Sequence, residues 1–224
     1  MNDLELTGLS CSHVVELSEH QCALHYEAAC SFLAMCDAAK SAGIALQSRS
    51  AYRSFDTQLL IWNRKWRGER ALYDRSGALL THADLSPDEL LETILTWSAL
   101  PGGSRHHWGS DIDLIDAAAV PSGYQVQLVP AEYAADGIFA PLTAWLDQQA
   151  ARYGFFRPYA TDRGGVSPEP WHFSYAPVSL PALESLSLST LRRLLEQSEL
   201  EGKQQVLARL PEIYTRFLLA IDPP

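Results

Sequence analysis

The chain has 224 residues, of which 47% are hydrophobic and 20% charged, and its formal net charge is −10. This balance is typical of one globular domain of ordinary size, with or without a modest appendage. No cluster of Lys and Arg supplies the basic face that nucleic acid requires, and no stretch approaches the roughly 18 apolar residues of a membrane span. We therefore predict neither a nucleic-acid partner nor a membrane-spanning segment.

The N-terminal region carries acids where an export signal has positive charge, so the chain as written is expected in the cytoplasm. Removal of an export signal would place it in the periplasm instead. This region also holds all the cysteines, which are Cys11, Cys22, Cys30 and Cys36. Three of them fall in residues 19–42, which read as a helix ended by Gly43. We expect buried thiols there, with a disulfide as the alternative.

The rest of the chain mixes strand and helix patterns. The predicted strands are residues 44–50, 111–115, 122–129 and 171–175. The predicted helices are residues 56–67, 86–98, 138–153, 188–199 and 203–220. Since the character of the sequence changes after Pro181, we divide the chain into a main domain of residues 1–180 and a helical appendage of residues 181–224. The appendage is expected to pack on the main domain, and a partner-binding arm is the alternative.

A first polar cluster follows the break at residues 101–103 and spans residues 104–113, SRHHWGSDID. A continuous strand would point His106 and Asp113 to opposite faces. A turn is needed to bring them together, and Gly109 is the residue that permits one. A polar loop that merely leads into a strand is the plain alternative.

A second cluster spans residues 169–175, EPWHFSY. From Trp171 onward it alternates, which places His172 on the face opposite the aromatic residues. Pro170 has no backbone N–H to donate to a sheet, so the strand effectively begins after it. Glu169 therefore lies just before the start of the strand. Together the two clusters offer what a catalytic zinc site needs, namely three N/O ligands and a carboxylate that does not bind the metal.

The two clusters fit S-x-H-x-x-G-x-x-x-D and E-x-W-H, and in this order they resemble the VanY-type D-alanyl-D-alanine carboxypeptidases, the LAS or M15 zinc metallopeptidases. The resemblance covers about residues 25–178. It implies one Zn²⁺ per chain held by His106, Asp113 and His172, with Glu169 as the catalytic base. It also implies an α+β fold, with a small, mostly antiparallel sheet and helices packed on it.

Two residues of the first cluster stand apart from this pattern. Asp111 occupies a position where many relatives carry a small residue. It could support a metal ligand, but we favour a plain strand residue. His107 is not expected to be a ligand.

A third cluster, residues 50–54 (SAYRS) followed by Gln58, is similar to the family segment in which an arginine engages the substrate. A guanidinium binds a carboxylate through two parallel hydrogen bonds, so the resemblance predicts that Arg53 holds the free C-terminus during catalysis. A surface arginine that merely follows a strand is the plain alternative. The other predicted substrate-binding residues are Gln58, Ser104, Trp108 and Trp171.

The predicted function is a zinc-dependent metallopeptidase that hydrolyses the C-terminal D-alanine of peptidoglycan stem peptides. An endopeptidase of the same family is the first alternative, although it would not need Arg53. A non-catalytic module that binds zinc and a peptide is the second, although a closed structural site would not need Glu169. A plain globular domain with coincidental clusters is the third. The sequence leaves open D,D against L,D preference, peptide length and oligomeric state.

Overall fold

The computed structural model of the chain describes all residues, Met1–Pro224. Its helices are α1 (Asp3–Leu6), α2 (Tyr26–Ser41), α3 (Phe55–Trp66), α4 (Pro87–Trp97), α5 (Pro130–Tyr133), α6 (Ala140–Gln149), α7 (Ala176–Ser185), α8 (Leu188–Gln197) and α9 (Lys203–Ile213). Its strands are β1 (Val14–Leu17), β2 (Cys22–His25), β3 (Leu46–Ser50), β4 (Leu72–Tyr73), β5 (Leu79–Leu80), β6 (Asp111–Asp116), β7 (Phe155–Phe156) and β8 (His172–Tyr175). The predicted α+β class is confirmed. None of the helices combines the length and hydrophobicity that crossing a bilayer would demand.

The central sheet has four strands in the order β3-β6-β8-β7, and all neighbouring pairs are antiparallel. Strand β6 is buried along its whole length. Its Asp113 is the Cα partner of Ser50 on one side and of His172 on the other. Strand pairing therefore brings the second and third sequence clusters to either side of the first.

Two apolar cores stabilise this arrangement. The first lies between the sheet and helices α2 and α6, and Phe32 and Phe173 are among its fully or nearly fully buried members. The second joins α3 and α4 to the C-terminal helices, and includes Trp62 and Leu210. The C-terminal helices share this second core with α3 and α4. Helix α7 runs across residue 180, and the division of the chain into two units at that point stays a prediction.

The predicted helix over residues 19–42 begins later than expected, at Tyr26. Residues Cys22–His25 form β2 and pair with β1 instead, after a left-handed turn at Gln21 with φ of 53°. Cys22 is therefore buried on a strand rather than on a helix. Cys30 is exposed on α2, contrary to the expectation of a buried thiol, and all four cysteines are free.

The predicted strand at residues 122–129 is wrong. The backbone N–H groups of Gln127 and Val129 donate to the Glu132 carboxylate at 2.9 and 3.3 Å, and Leu128 has a positive φ of 55°. A side chain therefore takes donors that a neighbouring strand would need. The segment instead forms an irregular loop that leads into α5.

Candidate active site

A one-turn 3₁₀ helix, Arg105–Trp108, and the left-handed Gly109, with φ of 65°, connect the two halves of the first cluster. The turn reverses the chain before β6 begins. His106 Nε2 consequently lies 3.7 Å from Asp113 Oδ2, and both side chains are buried. The turn predicted at Gly109 is present.

Gly109 also lies too close to its neighbours to carry a side chain. A Cβ atom there would lie 2.5 Å from the backbone nitrogen of His25 and 2.7 Å from Val14 Cγ1. We expect Gly109→Ala to lower the free energy of unfolding clearly more than Gly43→Ala, as measured by urea denaturation. Gly43 has a similar φ of 80° with nothing within 4 Å, so it reports left-handed strain alone, worth roughly 1–2 kcal/mol. Equal losses would show that the contact with β2 is unimportant.

Three buried side chains, His106, Asp113 and His172, bring one possible ligand atom each to within 4.8 Å of one another. The two imidazole rings are 5.0 Å apart and nearly perpendicular, at 79°. His172 Nδ1 lies 3.2 Å from Asp113 Oδ1, yet this oxygen has no hydrogen-bond partner of acceptable geometry. A buried carboxylate oxygen without a partner between two imidazoles fits a metal ion as its missing partner.

Each histidine has one ring nitrogen fixed by a hydrogen bond, which leaves the other free for a metal. His106 Nδ1 donates to the carbonyl oxygen of Ala51 at 2.8 Å, and His172 Nε2 donates to Asp111 Oδ2 at 2.9 Å. The free nitrogens, His106 Nε2 and His172 Nδ1, both face Asp113. Such outer hydrogen bonds fix the tautomer and the orientation of metal-ligating rings. Burial and the nearby Arg53 lower the pKa of His106 to about 3, so its ring is neutral at neutral pH.

Asp111 supports the cluster rather than serving as a plain strand residue, so the expectation for it was wrong. It precedes Asp113 by two residues on β6 and therefore shares its face of the sheet. Besides His172, its carboxylate accepts hydrogen bonds from Arg105 Nε at 2.7 Å and Ser174 Oγ at 2.8 Å. Although burial opposes ionisation, Arg105 and His172 lower the pKa of Asp111. The carboxylate is thus held as an anion against the back of His172.

Glu169 lies beside the three-residue cluster. Its Oε2 is 3.3 Å from His172 Nδ1, and its backbone N–H donates to the carbonyl oxygen of Tyr159 at 2.9 Å. Burial raises the pKa of the Glu169 carboxyl, and the interaction with His172 opposes this rise. The carboxylate is close enough to exchange a proton with a molecule bound at the cluster.

A cavity of about 440 Å³ opens onto the cluster. Among the predicted site residues it is lined by Arg53, Ser104, His106, Asp113, Glu169, Trp171 and His172. The Ser104 hydroxyl is fully buried and has no hydrogen-bond partner. Its hydrogen-bonding capacity is therefore unused within the protein.

Arg53 is held in place by two neutral acceptors. Its NH1 donates to Gln58 Oε1 at 2.6 Å and its NH2 to Ser50 Oγ at 2.8 Å. Gln58 is fully buried, donates to the carbonyl oxygen of Ala99 at 2.7 Å, and does not line the cavity. Its position corrects the predicted substrate contact, because Gln58 orients Arg53 instead. Arg53 itself has no carboxylate partner within ion-pair distance.

Trp108 and His107 both point away from the cavity. Trp108 belongs to the second core, where Nε1 donates to the carbonyl oxygen of Leu6 at 3.0 Å, so the prediction that it contacts the substrate was wrong. His107 Nδ1 donates to the carbonyl oxygen of Arg53 at 2.6 Å, and Nε2 accepts from Gly102 N–H at 3.0 Å. Both ring nitrogens are used, so His107 has none to offer a metal.

Several cavity residues were not singled out from the sequence. They include Lys65, Arg70, Arg105 and Tyr159. Burial raises the pKa of the Tyr159 phenol to about 12, and its ring centroid is 5.1 Å from that of His172. Ser174, which bonds to Asp111, was also missed. Its alternation with Trp171 and Phe173 places it on the same face as His172, and that alternation is the sequence feature that could have indicated it.

Residues 21–178 match the family model described as VanY, D-alanyl-D-alanine carboxypeptidase. The chain belongs to the VanY family. The members of this peptidase family that it resembles include a D-alanyl-D-alanine carboxypeptidase of Enterococcus faecalis, with 30% identity over 142 residues, which cover 62% of this chain and 43% of that longer protein.

Two solved structures share the fold. One is a mutant of the vancomycin-resistance D,D-pentapeptidase VanY in complex with Zn(II), with 23% identity and a TM-score of 0.50 over 86% of this chain and 88% of that one. The other is the LD-carboxypeptidase LdcB, with 21% identity and a TM-score of 0.52 over 87% and 77% of the two chains. At these identities the likeness concerns the fold alone.

Proposed function

We propose that the chain is a zinc-dependent carboxypeptidase that removes the C-terminal D-alanine from peptidoglycan stem peptides. The observation that carries the proposal is the buried set of His106, Asp113 and His172, with Glu169 3.3 Å from a ring nitrogen of that set and in the same cavity. The VanY-family membership supports the same reaction class.

Zinc suits this donor set because it prefers nitrogen and oxygen ligands, with three protein ligands and one open position in catalytic sites. The residues that would hold it are His106 through Nε2, His172 through Nδ1 and Asp113 through a carboxylate oxygen. When bound, zinc polarises a carbonyl group and lowers the pKa of a water molecule. One such site is present per chain.

The protein residues then divide the remaining work. Glu169 accepts the proton of the attacking water and returns it to the amine that leaves. Arg53 binds the terminal carboxylate of the peptide and so places the last peptide bond at the cluster. The unpartnered hydroxyl of Ser104 and the side chain of Trp171 contact the peptide from the wall of the cavity.

The proposal is tested with a panel of synthetic stem peptides. One peptide ends in D-Ala-D-Ala with a free carboxylate, a second is the same peptide amidated at its C-terminus, and a third ends in a single D-alanine after an L-residue. We expect D-alanine to be released from the first peptide and the amide to be a poor substrate. Cleavage of the third peptide alone would indicate an L,D-carboxypeptidase, and equal cleavage of the amide an endopeptidase. Zinc and peptide binding without cleavage would indicate a non-catalytic module.

A separate prediction concerns Asp111, which holds the rear nitrogen of His172. An asparagine there presents one acceptor instead of two oxygens to Arg105, Ser174 and His172. Loss of such an outer partner typically weakens metal binding ~10–100-fold. We expect this loss of zinc affinity in Asp111→Asn when zinc is titrated against a competing chelator.

The matched control for this prediction is Asp116→Asn. Asp116 is a buried carboxylate on the same strand, but it bonds to the backbone N–H groups of Ala45 and Ala118. We expect Asp116→Asn to keep the zinc affinity of the parent. The same affinity in both variants would remove Asp111 from the support of the metal site.

A further inference from the structure

One wall of the cavity carries positive charge that the proposed mechanism does not use. Lys65, in the last turn of α3, and Arg70, in the loop that follows, both line the cavity. Lys65 is half-buried, and its ammonium donates to the hydroxyl of Ser98 at 2.6 Å. Neither Lys65 nor Arg70 has a carboxylate within ion-pair distance. A partly buried ammonium that lacks an anionic partner is unusual in a folded protein.

The neighbouring cations on the same segment do have ion-pair partners, so the lack of a partner is particular to Lys65 and Arg70. Arg64 and Arg67 both contact the carboxylate of Glu69, at 3.5 and 2.6 Å. Glu69, the acid of this segment, is therefore bound by Arg64 and Arg67 and does not line the cavity. Burial lowers the pKa of Lys65 to about 8; repulsion by Arg70 and Arg53 adds to this shift, and attraction by Glu169 opposes it. Glu169 lines the same cavity but lies outside ion-pair distance of Lys65 and Arg70, so this wall can still accept a further negative group.

The size of the cavity leaves room for such a group beside the terminal residue. Its volume of about 440 Å³ falls within the ~300–1,000 Å³ of pockets that enclose whole small ligands. Arg53 is oriented separately, by Gln58 and Ser50, and its guanidinium can bind one carboxylate without help from Lys65. The two cationic positions can therefore serve two different anions.

We propose that Lys65 and Arg70 form a second anion subsite in the cavity, which binds a second carboxylate of the substrate peptide besides the terminal one. The role of this subsite in peptide cleavage rests on the proposed function, whereas its binding of a carboxylate does not. The preferred substrate is then an acidic peptide with two free carboxylates, one at Arg53 and one at the Lys65–Arg70 wall.

The test compares peptide pairs that differ by one charge. Both peptides of a pair end in a free carboxylate, and they differ only in having glutamate or glutamine at one position. That position is the released residue in one pair and one of the residues before the cleaved bond in each of the others. We expect one pair to show a preference for glutamate of about 10-fold in kcat/KM, the size of one charge-assisted hydrogen bond. Lys65→Met should abolish that preference. Lys40→Met, the same change at an exposed lysine of α2, should keep it.

Three results would overturn the subsite. The first is equal cleavage of glutamate and glutamine peptides in every pair by the parent enzyme. The second is a preference for glutamate that survives in Lys65→Met. The third is an equal loss of activity of Lys65→Met on both members of each pair, which would mean that Lys65 shares the terminal carboxylate with Arg53. If Lys65→Met does not fold, the exposed Arg70→Gln carries the test, and it should weaken the preference several-fold.

Failure of the proposed function is recognised separately. If the parent cleaves none of the peptides, calorimetric binding of the same pairs to Glu169→Gln decides the question. Tighter binding of one glutamate peptide, lost in the double variant Glu169→Gln/Lys65→Met, would uphold the subsite although the peptidase assignment had failed. Equal binding of both members of every pair would overturn the subsite as well.

Discussion

Replacing Glu169 by glutamine is expected to lower kcat by ~10²–10⁴-fold, the usual contribution of a general acid–base residue. The amide has nearly the shape of the carboxylate but cannot accept the proton of the attacking water. Glu169 is not one of the three grouped ligand residues, so zinc should stay bound. The measurement is D-alanine release from the free-acid peptide, normalised to the zinc content of each preparation.

The unfolding midpoint and the zinc content of Glu169→Gln are the controls, since a misfolded or metal-free variant would also be inactive. Both are expected to match the parent closely. A variant with full zinc and near-normal kcat would remove Glu169 from the mechanism. Another group in the cavity would then have to accept the proton.

Arg53→Ala is expected to lower kcat/KM for a peptide with a free C-terminus by several hundred-fold. Removal of one partner from a buried charge pair typically costs ~3–5 kcal/mol. Amidation of the peptide removes the other partner and should harm the parent enzyme about as much. Because both changes remove the same contact, the amidated peptide and Arg53→Ala together should be hardly worse than either alone.

This non-additivity separates a carboxypeptidase from an endopeptidase. Arg49→Ala serves as the matched control, because Arg49 is exposed on β3, at the irregularity between the paired residues Ser48 and Ser50, and lies outside the cavity. Arg49→Ala should leave kcat/KM unchanged for both the free-acid and the amidated peptide. Losses that add fully would mean that Arg53 and the terminal carboxylate do not meet, and efficient cleavage of the amidated peptide would favour the endopeptidase.

The ligand set His106, Asp113 and His172 was predicted from the family resemblance, and two local features that the sequence displays explain why these residues converge. Gly109 supplies the left-handed turn between the first ligand and the strand. The alternation after Trp171 puts His172 on the polar face of β8, and β8 pairs directly with β6. Short antiparallel strands with buried faces leave little freedom of register, so the ligands meet once the strands pair.

The roles of Asp111 and Trp108 could not be predicted, because they depend on partners far away in the chain. Asp111 is bonded by Ser174, and Trp108 donates to the carbonyl oxygen of Leu6. The strand expected at residues 122–129 failed for a local reason instead, since the nearby Glu132 side chain took its backbone donors. Lys65 lies on a helix with an ordinary amphipathic pattern, and only the tertiary structure places it at the cavity.

The metal content of the purified chain tests the central claim most directly. We expect about one zinc ion per chain, as the three-residue ligand set implies, and its loss from His106→Ala and from His172→Ala. Elemental analysis after removal of loosely bound metal measures the ratio, with His82→Ala as the control because His82 lies outside the cavity and bonds to the carbonyl oxygen of Trp66. Full zinc occupancy in both ligand variants would contradict the account.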